Sequence, residues 1–208
     1  MQQTKPTMLQ TKPTNDAPNN NQQTEQTKSV NLIKYELRDN TTILFCENFI
    51  DCESSKKLFE ELSELDYEQP ILHMYGKDIK IPRLQAWYAN HGITNRQARL
   101  YQKQQANEWS GYIKIVKEHL EKCLECEFNY CLVNYYRDGN DYISYHSDDE
   151  AFDNDKNIIA SISLGETRNF VLKHNDKTEK YNFMLSNGSL IVMKDDTQKY
   201  WKHTITKS

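Results

Sequence analysis

The sequence predicts an α+β fold that is mainly β, a β-sandwich or jelly roll buttressed by helices. Helical periodicity occurs in only two segments, and both precede Phe128. From Phe128 onward, short β-rich runs follow one another and are separated by turn residues. The sequence shows no long alternation of strands and helices, so a parallel doubly wound sheet is not expected.

The first 30 residues have a different composition from the rest. They are dominated by Gln, Thr and Asn, and the string QTKPT occurs twice, at residues 3–7 and 10–14. So few apolar side chains cannot offset the entropy that is lost when a chain is ordered. We therefore expect residues 1–30 to form a disordered tail and residues 31–208 to form the folded domain.

Two helices and one strand are predicted before Phe128. Asp51 is a typical N-cap residue, and the helix after it has apolar side chains at helical spacing, namely Leu58, Phe59, Leu62 and Leu65. Residues 84–90 form an aromatic strand candidate, and residues 94–107 have the polar character of a long loop. The second helix is predicted to bury Ile113, Val116, Leu120 and Leu124.

Six or seven strands are predicted in the second half of the chain. Their segments are 130–136, 142–146, 158–164, 168–174, 180–185, 189–194 and a last run around His203. Pairs such as Asn175-Asp176 and Asn187-Gly188 mark the turns between them.

Composition and charge limit the function classes. Hydrophobic residues make up 37% and charged residues 27% of the chain, and no apolar run approaches the roughly 18 residues of a membrane span. Five cysteines without disulfide spacing favour a reducing, intracellular setting, nucleus or cytoplasm. The net charge of −4 argues against a general polyanion binder, so any nucleic-acid contact requires basic residues gathered on one face. We expect a monomer that does not bind membranes.

One constellation suggests metal chemistry. His146 and Asp148 are two residues apart, so on an extended segment their side chains point to the same face. His203 lies 55 residues later on another predicted strand, and it can supply a third ligand. Two histidines and one carboxylate leave open positions on the metal, as in non-haem iron oxygenases. Most isolated His-x-Asp pairs are only a surface histidine beside an acid, so this signal depends on its context.

That context resembles a known family. The blocks NYYRDGNDYISYHSDDE, IASISLGETRNFVLKH and LSNGSLIVMKDDTQKYWKH resemble three consecutive segments of the AlkB family, iron(II)- and 2-oxoglutarate-dependent dioxygenases that remove alkyl groups from nucleic-acid bases. PRLQAWY and EWSGY resemble upstream segments, with the animal DNA-repair members most similar. The resemblance spans roughly residues 82–203 and implies a double-stranded β-helix with Fe(II), 2-oxoglutarate and O2 as cofactor and cosubstrates.

The resemblance also implies roles for individual residues. The iron ligands would be His146, Asp148 and His203, and the 2-oxoglutarate contacts would be Asn134 and Tyr136. Substrate-binding residues would be Tyr88, Asp149, Glu150 and Arg168, with Tyr88 stacking on a flipped base and Arg168 either facing substrate or bracing the acidic loop. Trp87 and Trp109 are further aromatic candidates. A basic hairpin, formed by Lys173, His174 and Lys177, would touch phosphates or be a solvated turn.

One departure from the family pattern concerns the end of the chain. Relatives continue past the distal histidine into a strand with two arginines, which bind the far carboxylate of 2-oxoglutarate. This sequence stops five residues after His203, at Ser208, so we expect the domain to be C-terminally incomplete, with an open sheet edge. We accordingly expect iron binding but weak 2-oxoglutarate binding, unless an internal Arg or Lys replaces the missing pair.

Three functions remain open on these grounds. The first is oxidative dealkylation of alkylated DNA or RNA, with release of formaldehyde. The second is an oxygenase of the same fold that acts on protein or a small molecule. The third is a non-catalytic remnant that binds nucleic acid or a partner.

Overall fold

Strands predominate in a computed structural model of the protein, which describes residues 7–13, 30–74, 76–92, 106–148 and 158–208. The strands are β1 (Thr7–Pro13), β2 (Ile33–Leu37), β3 (Thr41–Cys46), β4 (Ile71–Met74), β5 (Lys77–Lys80), β6 (Leu84–Ala89), β7 (Phe128–Tyr135), β8 (Ile143–His146), β9 (Ile159–Leu164), β10 (Arg168–His174), β11 (Lys180–Leu185), β12 (Leu190–Asp195) and β13 (Trp201–Ile205). The helices are α1 (Cys52–Ser63), α2 (Gly111–Leu124) and α3 (Thr197–Tyr200). None of the helices in these ranges is long and apolar enough to span a membrane.

The strands form two large antiparallel sheets and one small one. The seven-stranded sheet, called the large sheet below, has the order β2-β3-β12-β9-β1-β7-β6. The four-stranded sheet has the order β11-β10-β13-β8. Strands β4 and β5 form a separate hairpin. Apolar side chains from both large sheets share one core, among them Ile159 and Ile191 from the first and Phe170 and Leu172 from the second. This arrangement is the expected jelly roll, and the mainly β prediction is confirmed.

Both long helices cover the outer face of the large sheet. Leu58 and Leu62 of α1 and Leu120 of α2 are buried there against strand residues. Asp51 caps α1 as predicted, because its carboxylate accepts hydrogen bonds from the backbone N–H groups of Glu53 and Ser54.

A side chain of α1 also binds the N-terminus of α2. The carboxylate of Glu61 in α1 accepts hydrogen bonds from the backbone N–H groups of Tyr112 (2.7 Å) and Ile113 (3.2 Å). A negative charge at the N-terminus of α2 satisfies otherwise unpaired donors and interacts favourably with the helix dipole. The link fixes α2 relative to α1 on the sheet.

The strands predicted from Phe128 onward are all present within one or two residues of the expected bounds, and so is the aromatic strand β6. The hairpin formed by β2 and β3 was not predicted. Its turn contains Asp39 and Asn40 with φ of 57° and 49°, the left-handed conformation that tight hairpin turns need. The predicted loop at residues 94–107 falls almost entirely outside the described residues.

Strand β1 departs from the prediction. Thr7–Pro13 lies in the segment that was expected to be a disordered tail, yet it pairs antiparallel with both β7 and β9 in the middle of the large sheet. Backbone hydrogen bonding on two sides compensates for the segment's poor apolar content, because these bonds do not depend on side-chain type. The expectation of disorder does not hold for these seven residues.

Candidate metal centre and cosubstrate pocket

Two strands of the four-stranded sheet bring the predicted metal ligands together. His203 on β13 lies directly opposite His146 on β8, and their ring centroids are 4.1 Å apart. Asp148 follows the end of β8 by two residues, and its carboxylate oxygens lie 3.5 Å from Nε2 of each histidine. One ligand atom from each residue lies within 4.8 Å of the other two. The sequence-predicted triad is therefore one cluster in space.

The state of the two imidazoles suits a metal. Nδ1 of His146 lies 2.9 Å from the backbone carbonyl of Ser144, which can only accept, so this nitrogen carries the proton and Nε2 presents its lone pair. Both ring nitrogens of His203 are buried without a hydrogen-bond partner among the described residues. Burial, and to a lesser extent His146, lowers the pKa of His203 to about 3, so its ring is neutral at physiological pH. Neutral imidazole is the metal-binding form.

Buried polar atoms without partners are costly, and a metal would remove that cost at His203. Two imidazole nitrogens and a carboxylate on one side of an ion form the ligand set of non-haem iron(II), with positions left for other ligands. The residues present thus fit an iron(II) ion.

Neighbouring residues hold the triad in place. Phe170 of β10 stacks on the ring of His203, with centroids 5.3 Å apart and an interplanar angle of 15°. The backbone N–H of Asp148 donates to Oε1 of Gln198 in α3, at 2.8 Å, and Gln198 is itself buried. Sequence reasoning missed Gln198, because a glutamine in the turn before His203 carries no metal-ligand pattern.

The predicted 2-oxoglutarate contacts lie at the end of β7 and are buried. Asn134 and Tyr136 are each 1% exposed. The side-chain oxygen of Asn134 accepts hydrogen bonds from Nε of Arg83 (3.0 Å) and Nε2 of Gln85 (2.7 Å), so its amino group is turned away from both. Sequence reasoning quoted Arg83 and Gln85 only as part of a resembling block. Arg83 immediately precedes β6 and Gln85 lies within it, and their spacing of two is the signal that would have found them.

Tyr136 presents a buried hydroxyl to the interior. Its Oη has no hydrogen-bond partner in the described part of the chain. Burial raises the pKa of Tyr136 to about 12, although the charges of Arg83 and Arg168 oppose that shift. The hydroxyl therefore stays protonated and can donate to an anionic ligand. The charges of Asp141 and Asp148 act in the same direction as burial on this pKa.

The structure does not place Tyr88 on the side of the sheet that carries Asn134. Neighbouring residues of β6 face opposite sides of the sheet, and Gln85 shares its side with Trp87 and not with Tyr88. Tyr88 is 4% exposed and stacks on Trp109 at 5.5 Å in the core beneath the helices. Trp87 is the aromatic residue of β6 on the side of Asn134.

Trp87 also lines a cavity of about 570 Å³ at the edge of the large sheet. Its other lining residues include Ala89, Asn90 and Trp109, whose indole N–H donates to the Asn90 side chain at 2.9 Å. The volume falls in the range of small-molecule pockets, and the aromatic walls suit a flat ring.

The remaining substrate candidates differ in placement. Asp149 and Glu150 lie outside the described residues. Arg168 is 4% exposed, and its guanidinium donates to the backbone carbonyls of Asp141 (2.6 Å) and Thr206 (2.7 Å). It braces the loop before β8 against Thr206, whereas the acidic loop that Arg168 was expected to brace lies outside the described residues.

The basic hairpin extends into a wider positive surface. Lys173 on β10 is directly opposite Lys180 on β11 on one side and Lys202 on β13 on the other. Its Nζ lies 5.6 Å from the ring centroid of Tyr145, which is 41% exposed. Lys173, Lys177 and Lys202 also line a cavity of about 180 Å³ with Tyr145 and His174. We call Lys173, Lys180 and Lys202 the lysine row.

The jelly roll and its His-Asp-His cluster define the class of non-haem iron oxygenases. A family profile described as "2OG-Fe(II) oxygenase superfamily" matches residues 42–208. The chain belongs to this superfamily and, within it, to the AlkB family.

Similar proteins agree with this assignment. The chain is 31% identical over 161 residues to "DNA oxidative demethylase ALKBH2" of Homo sapiens, a match that covers 72% of this chain and 61% of the relative. It is 29% identical over 175 residues to "Alpha-ketoglutarate-dependent dioxygenase alkB homolog 3" of Bos taurus, with 79% and 60% covered. The chain thus spans about three fifths of the length of these curated relatives. The solved structure of OsALKBH1 has the same fold, with a TM-score of 0.58, 13% identity, and 79% and 85% of the two chains covered.

Proposed function

We propose that this protein removes alkyl groups from nucleic-acid bases by oxidation, with iron(II), O2 and 2-oxoglutarate. The observation that carries the proposal is the cluster of His146, Asp148 and His203, and the buried polar groups of Asn134 and Tyr136 are the candidate contacts for 2-oxoglutarate. The two relatives described above are named a DNA oxidative demethylase and an α-ketoglutarate-dependent dioxygenase. Both names agree with the chemistry that this ligand set supports.

In the proposed reaction, an iron(II) ion held by His146, Asp148 and His203 would supply the oxidation with O2 as the oxidant, and 2-oxoglutarate would be converted to succinate and CO2. One oxygen atom is inserted into a C–H bond of the alkyl group. For a methyl group on nitrogen, the hydroxymethyl product loses formaldehyde as the C–N bond breaks, and the nitrogen recovers a proton. The protein's own contribution is to position the groups and to shield them from water.

Each site residue has a distinct task in this scheme. The imidazoles of His146 and His203 and the carboxylate of Asp148 would hold the iron. The amino group of Asn134 and the hydroxyl of Tyr136 would donate hydrogen bonds to 2-oxoglutarate. Phe170 keeps the ring of His203 in a fixed plane, and Gln198 holds the backbone of Asp148.

The lysine row favours a nucleic acid as the substrate. Like charges directly opposite one another on neighbouring strands are destabilising, so three aligned lysines carry a cost that a bound polyanion would remove. They lie on the sheet that carries both histidines, in a chain whose net charge is −4. Phosphates at this surface would position a strand without reading its sequence. A base flipped from that strand would enter the protein, and Trp87 offers an aromatic face for it.

The test is a product assay with the iron-loaded protein. An oligonucleotide with N-methylated bases, single-stranded or duplex, is incubated with 2-oxoglutarate in air, and formaldehyde and succinate are both measured. We expect equal amounts of the two products and none from the unmethylated oligonucleotide. Succinate without formaldehyde from any methylated oligonucleotide would favour an oxygenase for protein or small molecules. Absence of both products in a protein that binds iron and nucleic acid would favour a non-catalytic binding protein. An intracellular location and a monomeric state remain predictions.

A further inference from the structure

His174 is a buried histidine that lies between carboxylates of two hairpin turns. It is 7% exposed at the end of β10. Its Nε2 lies 2.8 Å from Oδ2 of Asp39 in the β2–β3 turn, and its Nδ1 lies 2.7 Å from Oδ1 of Asp176 in the β10–β11 turn. Arg38 joins the group through contacts with both aspartates and with Glu179. We call these five residues the His174 cluster.

The hydrogen bonds of His174 are compatible with two protonation states. An ionised carboxylate only accepts, so Nε2 carries a proton that it donates to Asp39. Nδ1 lies beside groups of both kinds. Nη2 of Arg38, at 2.6 Å, and the backbone N–H of Asp176, at 3.2 Å, can only donate to it, whereas the Asp176 carboxylate can only accept from it. A neutral ring therefore accepts from the two donors, and a charged ring donates to the carboxylate instead.

The faces of the ring are held by aromatic residues. Trp201 of β13 meets the ring edge-on, with centroids 4.9 Å apart, and Tyr200 of α3 lies parallel to it at 6.5 Å. Nζ of Lys199 in turn lies 4.8 Å from the centroid of Tyr200. These contacts keep the ring in one plane, so a change of charge alters the partners of Nδ1 without moving the ring.

Asp176 is available as an acceptor over a wide pH range. Hydrogen bonds from the backbone and side chain of Thr178 hold the pKa of the Asp176 carboxyl well below its usual range. The carboxylate therefore stays ionised while an imidazole titrates, and it can receive the proton of a charged His174.

The His174 cluster lies beside the lysine row. His174 follows Lys173 on β10, and it lines the cavity of about 180 Å³ together with Lys173, Lys177 and Lys202. One arginine (+1) and three carboxylates (−3) give the cluster a formal charge of −2 when the ring is neutral, and protonation of the ring changes it to −1. Negative charge at this place opposes the attraction between the lysines and a phosphate.

We infer that His174 controls phosphate binding at the lysine row through its own protonation. The inference rests on the proposed function to the extent that this row binds nucleic acid. Imidazole is the side chain that ordinarily changes charge between about pH 5 and 8. At the acidic end of that range, the charged ring donates to Asp176 and the cluster repels phosphates less. At the basic end, the neutral ring accepts from Arg38 and the repulsion is stronger.

The first test measures how strongly the full chain, without added metal, binds a labelled single-stranded oligonucleotide. Fluorescence anisotropy gives the affinity at about pH 5.5 and at about pH 8, with the salt concentration held constant. The ratio of the two affinities should be on the order of threefold larger in the parent than in His174→Gln, the effect of one unit charge several ångströms from a phosphate. Glutamine keeps a donor for Asp39 and an acceptor for Arg38 but cannot become charged.

A second histidine provides the matched control. Nδ1 of His73 lies 2.8 Å from Oδ1 of Asp78 in the β4–β5 hairpin, which is separate from the four-stranded sheet. His73→Gln thus removes another histidine–aspartate pair, and it should respond to pH as the parent does.

Asp176→Asn tests the charge of the cluster independently of the histidine, and it decides the matter if His174→Gln does not fold. The change removes one negative charge at every pH, so the variant should bind the oligonucleotide at about pH 8 on the order of threefold more tightly than the parent. NMR spectroscopy of the imidazole nitrogens in the free parent should show that Nδ1 of His174 gains a proton between the two pH values.

Three outcomes would overturn the inference. The first is an equal pH response in the parent and His174→Gln, and the second is an Nδ1 with the same protonation state at both pH values. The third is unchanged affinity in Asp176→Asn, which would show that the charge of the cluster does not reach the lysine row. If the parent binds no oligonucleotide at either pH, the proposed nucleic-acid substrate fails together with the inference. That result is distinguishable, because each of the binding comparisons above requires a parent that binds.

Discussion

Gln198 accepts a hydrogen bond from the backbone N–H of Asp148 at 2.8 Å, and this contact links the short helix α3 to the proposed carboxylate ligand of the metal centre. Asp148 follows the end of β8, so no ladder of strand hydrogen bonds holds it. Gln198 is 5% exposed, and its amide nitrogen also lies 3.3 Å from Sδ of Met193. The glutamine is therefore a fixed support for Asp148, the one residue of the proposed triad that is not on a strand.

We predict that Gln198→Met weakens iron(II) binding by roughly 10-fold, because groups that orient metal ligands typically contribute 10–100-fold to affinity. Anaerobic titration calorimetry measures this effect. Thr197→Val is the matched control, since it removes a buried side-chain hydrogen bond from the same helix without touching Asp148. Equal loss in both variants would show that the effect comes from the helix as a whole.

Trp87 and Tyr88 are adjacent aromatic residues of β6 that face opposite sides of the sheet, and their variants test which of them binds substrate. We predict that Trp87→Leu weakens binding of a methylated oligonucleotide by about 1–3 kcal/mol, the usual contribution of stacking on a base. Tyr88→Leu should lower the melting temperature, because Tyr88 is buried in the helix-side core, but should leave the affinity of the folded protein unchanged. Fluorescence anisotropy with labelled oligonucleotide gives both values. The reverse pattern would restore Tyr88 to the role that the family resemblance implies.

The lysine row should affect binding and stability in opposite directions. In Lys173→Gln, one phosphate contact is lost, so the slope of log K against log salt should decrease by about 1. The same change relieves repulsion from Lys180 and Lys202, and the free energy of unfolding should rise by about 0.2–1 kcal/mol. Lys34→Gln, on an exposed strand where Lys34 is paired with Glu36, should leave the salt slope as it is. A slope unaffected by Lys173→Gln would remove the row from the proposed interface.

Strand β1 gives a prediction about stability. Deletion of residues 1–14 should expose the edges of β7 and β9 and lower the free energy of unfolding by on the order of 2 kcal/mol, because two ladders of backbone hydrogen bonds are lost at once. Urea unfolding followed by circular dichroism measures the loss, and aggregation should increase because of the new edges. Deletion of residues 1–6 leaves the strand intact and serves as the control. If both deletions behave like the parent, the original expectation of a disordered tail stands.

Much of the fold could be predicted because its signals are local. Strands β7 to β13 can be recognised from alternating apolar residues between turn residues. Helix α1 can be recognised from the cap at Asp51. Strand β1 could not be predicted, because its polar sequence carries no periodicity and its pairing partners lie more than 100 residues away. The hairpin of β2 and β3 was missed for a related reason, since its turn, Asp39-Asn40, lacks the glycine that usually marks such turns.

The residues of the candidate site could likewise be predicted only in part. His146 and Asp148 are recognisable by spacing, and His203 by its place on a later predicted strand together with the family resemblance. The side on which Tyr88 points depends on how β6 pairs with β7, and the register that places Gln85 opposite Asn134 cannot be read from either strand alone. The partners of Arg168 are backbone carbonyls, which every residue possesses and which leave no trace in a sequence.

The most direct test of the metal centre is anaerobic titration of iron(II) into the parent protein and four variants. His146→Ala, Asp148→Ala and His203→Ala should each lose measurable binding, because two remaining ligands hold a metal poorly. Asp149→Ala, which changes the acid next to a ligand, should bind as the parent does. Circular dichroism of each variant separates loss of the ligand from loss of the fold. Iron affinity in folded His203→Ala equal to that of the parent would contradict the assignment of the triad, and with it the proposed function.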